Sequence, residues 1–137
     1  MTTPLRLLAL LLAASPLAIA DDKPAPGARP LASHDISVAN AEKLLKENPK
    51  VVVLDIRTPA EFAAGHIPGA KSIDFSAPDF AKQISALDRK TSYLIHCASG
   101  GRSGRAMALP EVQALGNVLH MNEGFKAWEK AGKPVEK

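Results

Sequence analysis

Short, continuous apolar runs constrain the fold of this chain more than any other feature of its sequence. Residues 51–54 read VVVL, residues 93–96 read YLIH and residues 118–121 read VLHM. A run in which apolar residues do not alternate with polar ones is typical of a strand that is covered on both faces, as in a parallel sheet. Residues 70–75 predict one further short strand.

Helical patterns separate these predicted strands. They cover residues 38–48, a short segment that begins at Thr58-Pro59 and closes at Gly65, residues 78–87, a segment that starts near Ser103, and residues 125–131. Pro110 lacks an amide hydrogen, so the helix that starts near Ser103 should break or kink there. Strands that alternate with helices over about a hundred residues predict an α/β domain, with a mainly parallel central sheet flanked by helices on both faces.

The first 33 residues differ from the rest of the chain. Residues 1–20 contain one basic residue, Arg6, then an apolar run, and they close on Ala18-Ile19-Ala20, the three-part pattern of a cleavable signal peptide. A buried helix and a membrane anchor are the alternatives, but the apolar run is shorter than the roughly 20 residues that span a bilayer. Residues 21–33 contain three prolines and no periodic apolar pattern, which predicts a flexible leader. We therefore expect a domain over residues 34–137 that is exported to the periplasm.

Charge and cysteine content narrow the class of protein. The net charge is +3. Signal cleavage would remove Arg6 and no acidic residue, which lowers the net charge to +2. A charge so close to zero argues against a nucleic-acid partner or, after cleavage, a membrane-surface partner. Cys97 is the only cysteine, so it has no disulfide partner within the chain. An exported thiol is a liability unless it is used; the alternative is an inert buried cysteine.

The sequence around Cys97 favours a reactive thiol. Residues 93–105 read YLIHCASGGRSGR, which places the cysteine at the end of a predicted strand, where α/β proteins carry their sites. A structural cysteine would have side chains to pack against, and we expect few here. The glycines allow the loop to curl, so that its amides and Arg102 form an anion-binding concavity that stabilises a thiolate. The alternative is an ordinary glycine-rich turn with a surface arginine.

Three ordered motifs resemble those of the rhodanese-homology sulfurtransferases, thiosulfate sulfurtransferases among them. They are LDIRTPAEF at residues 54–62, GHIPGA at residues 65–70 and CASGGRS at residues 97–103, and Gly124-Phe125 with Trp128 matches the usual ending. The resemblance spans the whole predicted domain and implies the rhodanese-like fold. It also implies that Cys97 takes the outer sulfur of a donor such as thiosulfate, holds it as a persulfide and passes it to cyanide or a thiol.

The resemblance assigns further site residues. Ala98, Ser99, Gly100, Gly101 and Arg102 would bind the anionic donor, and Asp55, Arg57 and Ser103 would support the loop. Within that set, Arg57 is expected to pair with Glu61 or to guide anions. No metal and no cofactor are implied. The implied partners are a small anionic sulfur donor and a thiophilic acceptor, with a protein thiol as an alternative acceptor, and we expect a monomer.

Two histidines and one tryptophan are expected to have structural roles. His96 should point to the sheet face opposite Cys97 and belong to the core, because neighbouring residues of a strand alternate. His66, in a turn, and Trp128 are also interpreted as structural. Glu123 departs from the family pattern, which often has glycine there, and this change could alter one wall of the pocket.

Two other functions remain open. Cysteine-based phosphatases and arsenate reductases use a similar loop, but they typically place five residues between the cysteine and the arginine, and this chain places four. A non-catalytic binding module, or a sulfur carrier for a protein partner, is the second alternative. A carrier would use the same persulfide and differ only in its acceptor.

Overall fold

The computed structural model describes residues 34–137. The predicted signal peptide at residues 1–20 and the predicted leader at residues 21–33 lie outside the described residues. Within the described part of the chain, no helix has both the length and the apolar character required to cross a membrane.

Four parallel strands form the sheet. They are β1 (Val52–Asp55), β2 (Lys71–Ser72), β3 (Tyr93–His96) and β4 (Val118–His120), arranged in the order β2-β1-β3-β4. Every pairing between these strands is parallel, which confirms the prediction from the continuous apolar runs. The two central strands, β1 and β3, are the most buried because they have a neighbour on each side.

Six helices complete the described part of the domain. They are α1 (Val38–Glu47), α2 (Pro59–Ala64), α3 (Phe80–Ser85), α4 (Gly101–Met107), α5 (Pro110–Gln113) and α6 (Gly124–Lys130). Buried residues of α3, α4 and α5 form one apolar cluster with Leu54 and Ile95 of the sheet. Buried residues of α1 and α6 form a second cluster with Val53 and Leu94. Since adjacent strand residues point to opposite faces, the two clusters are the two sides of the sheet, and helices flank both faces as predicted.

Some predicted boundaries change. The predicted strand at residues 70–75 is confined to β2, although the chain continues beside the end of β1, where Ile73 N donates to Asp55 O at 3.0 Å. The helix expected near Ser103 begins two residues earlier, at Gly101. Pro110 does interrupt this helical segment: α4 ends at Met107 and the proline is the first residue of α5.

The strand register positions the predicted site. Asp55 of β1 pairs with His96 of β3, and Cys97 follows directly. Cys97 and Asp55 therefore lie at the same edge of the sheet, where the carboxyl ends of the parallel strands meet.

Candidate active site

Cys97 is buried at the edge of the sheet. Only 1% of the residue is exposed, and it belongs to the apolar cluster that contains α3, α4 and α5. The expectation that this cysteine has few side chains to pack against is therefore wrong. The reason is that α4 folds back over the strand edge directly after the cysteine, so that Ala106 and Met107 join the same cluster as Cys97.

Three hydrogen-bond donors nevertheless point at the sulfur. The backbone amide of Gly100 lies 3.1 Å from Cys97 Sγ, and the amide and hydroxyl of Ser103 lie at 3.4 and 3.3 Å. Burial alone would raise the pKa of the Cys97 thiol, but hydrogen bonds from Ser103 and from the loop amides outweigh it and hold the pKa below its ordinary value. The site therefore favours a thiolate, the nucleophilic form of cysteine.

The cysteine loop, residues 97–103, depends on a glycine at position 100. Gly100 has φ 97°, a left-handed conformation, and it precedes the first residue of α4. A Cβ atom there would run into the carbonyl oxygen of Asn122. Only glycine fits this turn, and the turn directs the amides of Gly100 and Ser103 toward the sulfur.

The start of α6 holds the other side of the loop. Phe125 N donates to Cys97 O at 2.8 Å, and Lys126 N donates to Ala98 O at 3.0 Å. Gly124 makes this approach possible, because a Cβ there would lie 2.6 Å from Ser99 N. The departure at Glu123 affects a different place: its carboxylate accepts a hydrogen bond from Val38 N, at the start of α1, at 2.9 Å.

We expect Gly124→Ala to destabilise the domain and to lower the reactivity of Cys97. The new methyl group would push the backbone of Ala98 and Ser99, and Gly124 also has φ 78°, where alanine is strained. Such strain costs on the order of 1–3 kcal/mol before the clash is added. Urea unfolding and the rate of Cys97 alkylation would measure the two effects.

Gly132→Ala is the matched control for that variant. Gly132 has φ 72°, but a Cβ there meets nothing within 4 Å, so this variant has the same backbone strain without the contact. Equal losses of stability and reactivity in the two variants would contradict the role given to Gly124.

Asp55 and Arg57 form a buried ion pair beneath the cysteine loop. Arg57 Nη2 lies 2.6 Å from Asp55 Oδ2, and it also donates to Gly65 O at 2.7 Å. The guanidinium lies 4.0 Å from the ring centroid of Phe125, the residue whose amide holds Cys97 O. The expectation that Arg57 pairs with Glu61 is wrong, and a role in guiding anions stays a prediction. Its side chain is 5% exposed, and the turn after β1 brings it back to the carboxylate two residues earlier.

His96 lies on the sheet face opposite Cys97, as predicted. Its Nδ1 lies 3.0 Å from Cys97 O, and its ring stacks on that of Phe125. Burial lowers the pKa of His96, and its Nε2 has no hydrogen-bond partner although Asp55 Oδ2 is 3.8 Å away. A neutral ring with the proton on Nδ1 fits this arrangement, in which His96 donates to the backbone of the loop and does not reach the sulfur.

Arg102 is the actual partner of Glu61. Its Nη1 and Nη2 lie 2.8 and 3.0 Å from the two carboxylate oxygens, and this bidentate pair joins the cysteine loop to the start of α2. Hydrogen bonds from Arg102 are the main reason that the pKa of Glu61 falls to about 2. Glu61 also forms the capping box of α2 with Thr58. The charge of Arg102 is thus shared with a carboxylate at all but strongly acidic pH.

The remaining predicted residues differ in exposure. Ser99 and Gly101 are exposed on the loop, and Ala98 is buried. His66 and Trp128 are structural, as interpreted: the His66 ring stacks on Phe62, and Trp128 Nε1 donates to Pro134 O at 2.7 Å.

Two residues near the thiol were not predicted from the sequence. His120 Nε2 lies 2.7 Å from Ser103 Oγ, and His120 Nδ1 lies 2.9 Å from Asp35 Oδ1. The only signal in the sequence was a histidine within an apolar strand, a pattern that His96 shares. Among residues 34–137, no group of three or more His, Cys, Asp or Glu side chains is placed to hold a metal ion.

Known proteins resemble this chain in sequence and in structure. The family model described as the rhodanese-like domain matches residues 37–131. A sulfurtransferase from Allochromatium vinosum is 32% identical over 102 residues, which cover 74% of this chain and 94% of that protein. The thiosulfate sulfurtransferase GlpE from Pseudomonas putida is 39% identical over 93 residues, 67% of this chain and 81% of its own length.

A solved structure gives the same result. The crystal structure of a rhodanese-related protein from Thermoplasma volcanium matches with a TM-score of 0.63 at 30% identity, and the match covers 74% of this chain and 96% of that one. The predicted rhodanese-like fold is thereby confirmed. The family model matches more than half of the chain, and both relatives are more than 30% identical to it, so the chain belongs to the rhodanese-like domain family.

Proposed function

We propose that this protein is a sulfurtransferase that moves a sulfane sulfur from thiosulfate, or a related donor, to cyanide or a thiol through a persulfide on Cys97. The observation that carries the proposal is the set of three donors on Cys97 Sγ, which favours the thiolate in a buried position. The relatives named as sulfurtransferases support the reaction class, and GlpE supports thiosulfate as the donor.

The reaction would proceed in two displacements. In the first, the Cys97 thiolate attacks the outer sulfur of thiosulfate, a new S–S bond forms, and sulfite leaves with the electron pair of the broken S–S bond. In the second, the acceptor attacks the terminal sulfur of the persulfide, and Cys97 leaves as a thiolate. With cyanide the product is thiocyanate, and the enzyme returns to its starting state. Such a covalent intermediate divides one difficult transfer into two easier ones.

The cysteine loop would serve both steps. Its amides, from Ala98 to Arg102, would hold the terminal sulfur of the persulfide, since a negatively charged sulfur is stabilised by N–H donors. Arg102 would help to attract the anionic donor, although its pairing with Glu61 reduces the charge that it presents. Ser99 and Gly101 are exposed, so the donor would approach from their side of the loop.

The proposal also covers the cellular compartment, the partners and the oligomeric state. The signal-peptide pattern of residues 1–20 supports export to the periplasm. The near-neutral charge supports small-molecule partners and not a nucleic acid or a membrane surface. We propose a monomer that needs no cofactor, with a protein thiol as a second type of acceptor.

Intact mass of the reduced protein after incubation with thiosulfate tests the proposal. We expect a gain of one sulfur atom, which is lost on addition of cyanide as thiocyanate appears in solution. An unchanged mass while Cys97 is free and reduced would contradict thiosulfate as the donor. Hydrolysis of a phosphate ester by that same unmodified protein would overturn the proposal in favour of phosphatase chemistry.

A further inference from the structure

A chain of hydrogen bonds leads from Cys97 to the protein surface. Cys97 Sγ lies 3.3 Å from Ser103 Oγ, which lies 2.7 Å from His120 Nε2, and His120 Nδ1 lies 2.9 Å from Asp35 Oδ1. Ser103 is fully buried and His120 is 6% exposed, whereas the side chain of Asp35 is 42% exposed. Four groups that can donate or accept a proton thus form one line between the buried sulfur and solvent.

The hydrogens of this line of four groups can be arranged in two ways that give every polar hydrogen an acceptor. In the first, the thiol of Cys97 donates to Ser103 Oγ, the serine hydroxyl donates to His120 Nε2, and His120 Nδ1–H donates to Asp35. In the second, Cys97 is a thiolate, the serine hydroxyl donates to it, and His120 carries a proton on both nitrogens. Every polar hydrogen has an acceptor in both arrangements, so neither leaves an unpaired buried donor.

We propose that His120 receives the proton of Cys97 through Ser103, and that Asp35 stabilises the resulting imidazolium. The S–H bond of Cys97 breaks as an O–H bond forms on Ser103, and the original O–H bond of Ser103 breaks as an N–H bond forms on His120. No electrons are gained or lost, and one proton moves one step along each link. His120 is thus a positioning residue that acts on the nucleophile through Ser103.

The titratable groups around His120 are Asp35, Cys97 and His96. Asp35 precedes α1 and is the one carboxylate within ion-pair distance of His120 among residues 34–137. A backbone hydrogen bond from Ile36 N to His120 O, at 2.9 Å, keeps this segment against β4. From α4 the neutral Ser103 hydroxyl contacts the histidine. Cys97, directly after β3, reaches the histidine through that serine. His96, at the end of β3, interacts with it through space, and burial lowers the pKa of His96, so that ring adds no positive charge near neutral pH.

The inference rests on the proposed function only in taking the Cys97 thiolate as the nucleophile. Its test can therefore avoid sulfur transfer altogether. Iodoacetamide reacts with the thiolate, so the alkylation rate measured against pH reports how much thiolate is present. Persulfide formation from thiosulfate, followed by intact mass, would be measured separately on the same samples.

Three single variants and the double variant His120→Gln with Ser103→Ala, all in the full chain, test the relay. His120→Gln keeps a hydrogen-bonding group near Ser103 but cannot take up a proton, so we expect the rise in the alkylation profile to move up by about one pH unit. That shift is about a tenfold loss of rate at neutral pH. Ser103→Ala should produce a shift of at least that size, and the double variant should add little to it, because both changes interrupt one line. Asp35→Asn, at a partly exposed position, should give a smaller shift in the same direction.

His66→Gln is the matched control. His66 is 8% exposed and lies 3.1 Å from Glu136 Oε1, so it is also a buried histidine beside a carboxylate, but its other nitrogen faces Phe62 O and not the thiol. We expect its alkylation profile to match that of the unchanged protein.

The outcomes separate the relay from the proposed function. Profiles of His120→Gln and Asp35→Asn that coincide with that of the unchanged protein would overturn the relay, even if persulfide forms normally. An equal shift in His66→Gln would overturn it as well, because the effect would then be general. If the profiles shift as expected but no variant and no parent protein gains sulfur, the relay is supported and the proposed donor is wrong. Should His120→Gln fail to fold, Asp35→Asn decides the question.

Discussion

Replacement of Cys97 by serine is expected to abolish sulfur transfer, with a loss of at least about a thousand-fold. The three donors around position 97 would remain, because they belong to Gly100 and Ser103. A serine hydroxyl, however, ionises at far higher pH than a thiol and cannot carry a sulfane sulfur as a persulfide. The loss would therefore be in the chemistry itself and not in donor binding.

Two measurements would establish the cause of that loss. Thiocyanate production from thiosulfate and cyanide gives the activity, and thermal unfolding shows whether the serine variant retains its stability. Ser92→Ala, an exposed residue at the opposite end of β3, is a suitable control and should retain full activity. Normal thiocyanate production by the Cys97→Ser protein would rule out the persulfide mechanism.

Arg57→Met should lower the free energy of unfolding by about 3–5 kcal/mol. The side chains of Arg57 and Asp55 are 5% and 0% exposed, and three arginine N–H contacts satisfy the carboxylate. Removing the guanidinium leaves a buried carboxylate without its partner and leaves Gly65 O without the donor at 2.7 Å. The Phe125 ring, which contacts the same guanidinium, would lose support next to the cysteine loop.

Arg102→Met is the matched control for this buried pair. Arg102 also forms a bidentate pair, but its side chain and that of Glu61 are 27% and 36% exposed, so we expect a loss of about 1 kcal/mol or less. The double variant Asp55→Leu with Arg57→Met should recover much of the stability, because no buried charge remains unpaired. Urea unfolding of the four proteins gives the comparison. Similar losses for Arg57→Met and Arg102→Met would contradict the distinction between the two pairs.

Local patterns account for much of the fold. The runs at residues 51–54 and 93–96 predicted β1 and β3 because their continuous burial requires cover on both faces, and Pro110 ended α4 because it has no amide hydrogen. The boundary at Gly101 was missed, because the start of α4 depends on the left-handed turn at Gly100. At that turn Asn122, from the loop after β4, leaves no room for a side chain at position 100.

The side-chain partners were predicted less well. The resemblance implied a pair between Arg57 and Glu61, yet Glu61 pairs with Arg102, 41 residues further along the chain. Arg57 instead turns inward to Asp55, where the core excludes water and an unpaired carboxylate would be costly. Which charged side chains pair depends on which chain segments the sheet brings together. The spacing of residues along the chain does not show it.

The amino-acid sequence alone determined that Cys97 directly follows a buried strand and begins a loop able to direct amides toward its sulfur, since both properties follow from apolar runs and from glycine's conformational freedom. The tertiary structure alone decided that the thiol is buried, and that Ser103 joins it to His120 and Asp35. His120 and Asp35 are separated by 85 residues and meet only because β4 lies beside β3 and the segment before α1 lies against β4. A hydrogen bond depends on distances of about 3 Å between atoms, and only the packed sheet determines those distances.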